Sequence, residues 1–80
     1  MSEALRGEIL ALLSEAAGRA VSGDDATPLF EAGLGLDSIA LLEIVVALEE
    51  RFGLRVRPEE GAAAFATIGA LTAFVAARRA

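Results

Sequence analysis

The chain contains no cysteine, no histidine, no tryptophan and no tyrosine. The missing cysteines exclude disulfides and thiolate metal sites. Without histidine there is neither the usual general base near neutral pH nor the commonest metal ligand. An enzyme on this chain would have to work with carboxylates alone. The adjacent acids Asp24-Asp25, Glu49-Glu50 and Glu59-Glu60 read as solvated helix and loop faces, because acid–base catalysis needs a shaped, partly dry pocket that separates two pKa values. They also lack the ligand spacing of a divalent cation site. No catalytic residues and no metal site are therefore expected.

Positive charge is scarce as well: seven basic residues, all arginine, face twelve acids, for a net charge of −5. That balance argues against nucleic acid, whose binding depends on basic side chains neutralising phosphates. It also disfavours anionic membrane surfaces, and complements basic protein partners. No apolar run reaches the roughly 18 residues of a membrane span, so no membrane insertion is expected. Glu3, Glu8 and Glu15 interrupt the N-terminal apolar pattern, unlike a signal peptide, and a cytoplasmic location is expected.

What is abundant is small and aliphatic. The chain is 55% apolar over 80 residues, with Ala and Leu prominent. Residues 1–80 read as one domain near the lower size limit for a self-sufficient core. Phe30, Phe52, Phe65 and Phe74 are its aromatics, each expected at a core position.

Four helical segments follow from periodicity and end signals. The first starts after Ser2 as N-cap, buries Leu5, Ile9, Leu12, Leu13 and Ala16, and ends near Gly18. Residues 18–36, with Gly18, Gly23, Pro28, Gly33 and Gly35, form one long loop, a feature that in a small domain tends to be functional. Leu29, Phe30, Leu34 and Leu36 are expected to pin it to the bundle. The second helix runs from about Asp37 to Phe52. The segment Leu54–Arg57 alternates but has no partner strand. A brief third helix begins at Pro58, with acids in its first turn, and ends around Phe65. Thr67 caps the last helix, whose buried stripe is Ile68, Leu71, Phe74 and Val75, with Arg78 and Arg79 placed to offset its dipole.

At about 100° per residue, the second helix separates into two faces. Leu41, Ile44, Val45, Leu48 and Phe52 fall on the core side. Ile39, Leu42, Glu43, Val46, Glu49 and Glu50 fall opposite, mixing aliphatics with acids where a purely structural helix is more uniformly polar. That mixture reads as an interaction face; the alternative is a helix buried on both sides. Ser38 stands at the helix start, after the turn Leu34-Gly35-Leu36-Asp37. Two readings of it follow from the residues. Ser and Asp are favoured N-caps; equally, a hydroxyl at a helix N-terminus sits where free N–H groups and the dipole favour an attached anion.

The Asp37-Ser38 pair, spaced as it is from Phe30 upstream and from Glu49, Glu50 and Phe52 downstream, resembles the attachment site of the acyl carrier protein family. The resemblance extends over nearly the whole chain. It implies an all-α fold, a small four-helix bundle with three main helices, one short helix and a long first loop. It further implies 4′-phosphopantetheine held covalently on Ser38, with Asp37 assisting a phosphopantetheinyl transferase. Ile39, Leu42, Glu43, Val46, Glu49 and Glu50 would form the surface read by acyl-loading and acyl-processing enzymes with basic docking surfaces. A freestanding monomeric carrier, not an enzyme, is the expectation.

Several positions depart from the pattern of carriers in primary fatty acid synthesis. Ala40, Arg51 and Ala62-Ala63-Ala64 stand where such carriers often have acids, and Gly33 stands where Asp is frequent. These changes thin the acidic surface and point to a specialised lipid, secondary-metabolite or polyketide-like pathway. The alternatives are an aminoacyl or peptidyl carrier, against which the Gly35-Leu36-Asp37 turn argues, and an unmodified helical interaction module.

Overall fold

The computed structural model describes residues 3–30 and 33–79. Helices α1 (Glu3–Ala17), α2 (Ser38–Phe52), α3 (Gly61–Ala64) and α4 (Ile68–Arg78) follow in order, with a single 3₁₀ turn, Pro58–Glu60, leading into α3. Among the described residues there is no strand, only an isolated bridge between Pro28 and Thr67. The all-helical bundle has the expected three longer helices and one short one. The proposed Ser2 cap lies outside the described residues.

Each long helix is built around an apolar stripe. Leu5, Ile9, Leu12 and Leu13 of α1, Ile44 and Leu48 of α2, and Ile68, Leu71 and Val75 of α4 have almost no exposed surface. Full burial of such a side chain is worth about 1.5–3 kcal/mol. Helix α1 packs against both α2 and α4, and α3 packs against α4. The radius of gyration is 11.2 Å, close to the ~11.6 Å of a compact chain of this length.

The helix ends follow their side chains. Thr67 Oγ1 accepts from the Ala70 amide at 3.0 Å, the expected cap of α4. Gly53 closes α2, its amide donating to the Glu49 carbonyl at 3.1 Å. Arg78 is more than a dipole partner. Its guanidinium grips both carboxylate oxygens of Glu60, donates to the Arg55 carbonyl, and lies 5.0 Å over the Phe74 ring. This ties the end of α4 to the 3₁₀ turn.

Two expectations about the core are corrected. Of the four phenylalanines only Phe65 is fully buried; Phe30, Phe52 and Phe74 are half-buried against the core's edge. The stripe of α4 instead includes Thr72, 1% exposed. Its hydroxyl donates to the Ile68 carbonyl at 2.8 Å, so a polar side chain is satisfied inside its own helix.

The long loop is held at both ends. Arg6 donates to Asp25 Oδ1 at 3.0 Å and to the Gly23 carbonyl at 2.7 Å. The Leu29 amide reaches the Ala66 carbonyl, and the Ile68 and Gly69 amides reach the Thr27 and Asp25 carbonyls. Leu29, Leu34 and Leu36 are buried as expected, whereas Phe30 is partly covered.

Candidate functional site

The approach to Ser38 is a tightly bonded piece of backbone. The Leu34 amide donates to the Pro28 carbonyl at 2.9 Å and the Leu36 amide to the Leu29 carbonyl at 3.0 Å. Arg19 reaches from beyond α1 to donate its guanidinium to the Leu34 carbonyl. A Cβ on Gly33 would stand 1.9 Å from the Pro28 carbonyl oxygen, so this loop path accepts only glycine there. Gly35 turns the chain with φ of 69°, a left-handed conformation that L side chains resist.

Asp37 follows in extended conformation and caps α2. Its Oδ1 accepts from the Ala40 amide at 2.8 Å, and its carbonyl accepts from the Leu41 amide at 3.0 Å. The capping role thus falls to Asp37. Ser38 is the first residue of α2, exposed, and its hydroxyl makes no hydrogen bond among the described residues. Side chains on a helix tilt toward its N-terminus, so this hydroxyl projects off the positive end of α2. The Ser38 and Ile39 amides lie in the first turn, where no intrahelical carbonyl is available. A free, solvent-reached hydroxyl beside open amides fits a covalently held phosphodiester.

Beyond it lies the exposed face of α2. Ile39 is 69% exposed, Leu42 67% and Val46 53%, alongside exposed Glu43 and Glu50. Leu42, Glu43, Val46, Ala47 and Glu50 line a shallow depression. Glu49 is placed differently. It is half-buried, and its Oε2 accepts from the Val56 amide at 3.2 Å, fastening the segment after α2. Ala40 is 6% exposed, so it is a packing position and not a gap in the acidic strip. Arg51 leans toward α1, its guanidinium 3.9 Å from Glu15.

A further concavity leaves little trace in the sequence. A groove of about 600 Å³ runs between α2 and the 3₁₀–α3 segment, with Phe30, Leu41, Val45, Val56 and Phe65 among its walls. The available signal was that Leu41 and Val45 occupy the margin of the core face rather than its centre. Among the described residues no cluster of His, Cys, Asp or Glu could hold a metal, and no helix is long and apolar enough to cross a membrane.

The family model for the phosphopantetheine attachment site matches residues 7–75, which makes this a phosphopantetheine-bearing carrier domain. An acyl carrier protein of Arthrobacter sp. (strain FB24) is 36% identical over 73 residues, covering 86% of this chain and 89% of that protein. Another, from Paenarthrobacter aurescens (strain TC1), matches to the same extent. One from Prochlorococcus marinus (strain MIT 9515) is 40% identical over 50 residues, spanning 62% of this chain and 61% of that relative's length. The chain belongs to the acyl carrier protein family, and its members are carriers rather than enzymes. No solved structure matches it.

Proposed function

We propose that Ser38 Oγ is the atom to which 4′-phosphopantetheine is joined, and that the chain presents acyl groups on this arm to separate enzymes. The observation that carries this is the division of labour at the start of α2: Asp37 Oδ1 holds the Ala40 amide, which leaves the exposed Ser38 hydroxyl without a structural duty. The arm supplies a thiol that holds cargo as a thioester. The protein's part is to hold the attachment point at the positive end of α2, where an anion gains about 0.3–1 kcal/mol. Asp37 fixes that end by its cap, and this is how it supports the transferase reaction.

Ile39, Leu42, Glu43, Val46 and Glu50 form the surface on which the phosphopantetheinyl transferase and acyl-loading and acyl-processing enzymes dock, through aliphatic contact and charge complementarity with basic patches. Glu49 contributes its charge to this strip while its Oε2 is engaged by the loop. Residues 1–80 form one carrier domain that works in the cytoplasm, as a monomer, in a specialised lipid or polyketide-like pathway. Supporting that pathway is Arg51, a cation at the end of the docking helix. Peptide mapping after reaction with a broad-specificity transferase tests the attachment. The arm is expected on the peptide containing Ser38, and an arm on Ser14 or Ser22 would contradict the proposal. Loading assays with acyl and aminoacyl ligases then separate an acyl carrier from an aminoacyl carrier.

A further inference from the structure

We infer that the groove between α2 and α3 selects an acyl chain whose far end carries a carboxylate, and that Arg57 is the residue that selects it. The inference rests on attachment at Ser38 and extends it to the cargo. Leu41 and Leu42 stand three and four residues after Ser38. They therefore flank the line of Ser38, one toward the core face and one toward the exposed face, about one turn (~5 Å) along the axis. Both line the groove, so the groove reaches to about one helical turn from the attachment point. Its volume of about 600 Å³ lies within the range of pockets that enclose small ligands.

The walls are apolar with one exception. Phe30, Val45, Val56 and Phe65 offer a chain only hydrophobic contact, while Arg57 is the single charged residue among the described residues of the lining. It is an unexpected charge to find there, on a molecule with a net charge of −5. The Arg57 backbone amide donates to Glu60 Oε1 at 3.1 Å, but its guanidinium has no ion-pair partner among the described residues. The neighbouring Glu60 carboxylate does not neutralise it, being occupied by Arg78. An apolar groove with a guanidinium in its lining that is unpaired among the described residues complements an aliphatic chain ending in a carboxylate, which a guanidinium can hold by two parallel hydrogen bonds. A chain ending in a methyl group fills the slot but leaves that cation unpaired.

The test loads the full chain with two arms bearing acyl groups of equal length, adipoyl ending in carboxylate and hexanoyl ending in methyl, using a broad-specificity phosphopantetheinyl transferase. Cleavage by hydroxylamine is compared with that of the same pantetheine thioesters free in solution, and the Arg57 Nε–H resonance is followed by NMR. The protein should shield the adipoyl group more than the hexanoyl group by about threefold, the size a partly exposed ion pair supports. The Arg57 signal should shift with adipoyl only. Arg57→Gln should erase the difference and Arg57→Lys should keep part of it; both should fold, because the backbone of Arg57 and not its side chain makes the local bond. Equal shielding of the two groups, or a difference that survives Arg57→Gln, would overturn the inference while leaving attachment at Ser38 intact. A chain that takes up no arm would overturn the attachment and this inference together.

Discussion

Asp37 and Ser38 are both of a type that caps helices, and only Asp37 does so here. The carboxylate holds the amide of Ala40, and the hydroxyl stays free. Asp37→Ala should therefore cost about 1 kcal/mol, the usual worth of a cap, whereas Ser38→Ala should stay within about 0.5 kcal/mol of the native chain, as surface changes usually do. Denaturant melts of the two unmodified variants check this, and an equal loss in both would show that Ser38 shares the cap. The glutamates of α2 divide in a similar way. Glu49→Ala strips the Val56 amide of its partner and should cost about 1 kcal/mol. Glu43→Ala, at an exposed position, should leave stability unchanged and weaken partner binding. The roles of Ala40 and Glu49 were not legible in the sequence. Helix periodicity places a residue at an angle around the axis, but whether that angle meets solvent depends on distant chain. For Glu49 that is the segment after α2, which turns back across the helix.

Helix α2 was legible as an element for a simple reason: its start and its two faces are local signals. Its faces lead to unequal stability losses. Leu48 has no exposed surface, while Leu42 is 67% exposed. Leu48→Ala should cost about 2–5 kcal/mol, and Leu42→Ala well under half of that, with its main effect on docking; thermal melts that fall equally would contradict the assignment of faces. The loop gives a second comparison. Gly33→Asp sets a side chain against the Pro28 carbonyl, where even a Cβ would come within 1.9 Å. It should destabilise the chain and disturb the approach to Ser38, measurable as a lower melting temperature and slower modification. The loop's existence was readable from its glycines, and its anchoring from Leu29, Leu34 and Leu36. Its path was not, because the bonds from Arg6 and Arg19 to backbone carbonyls leave no pattern in sequence. Three phenylalanines lie outside the expected core for a related reason. A core this small is filled by aliphatic side chains, and three of the rings serve at its margins, two of them as neighbours of the groove or of Arg78.

At the scale of the whole molecule, a net charge of −5 and an exposed aliphatic strip beside Ser38 suit brief association with basic enzyme surfaces. Such encounters should slow as salt rises toward physiological strength, where the screening length falls to about 8 Å. Transferase kinetics between low and high salt measure this, and a rate indifferent to salt would leave the aliphatic contacts as the sole determinant. The burial of Ala40 changes how this chain could be brought closer to carriers of primary fatty acid synthesis. An acid there would enter packed surroundings, so Arg51→Glu alone is the informative variant for ketosynthase turnover. The central claim is attachment at Ser38, and intact mass after incubation with a broad-specificity phosphopantetheinyl transferase tests it most directly. The native chain and Ser22→Ala should each gain the mass of one phosphopantetheine, and Ser38→Ala should gain none. A gain that persists in Ser38→Ala, or its absence from the native chain, would contradict the account.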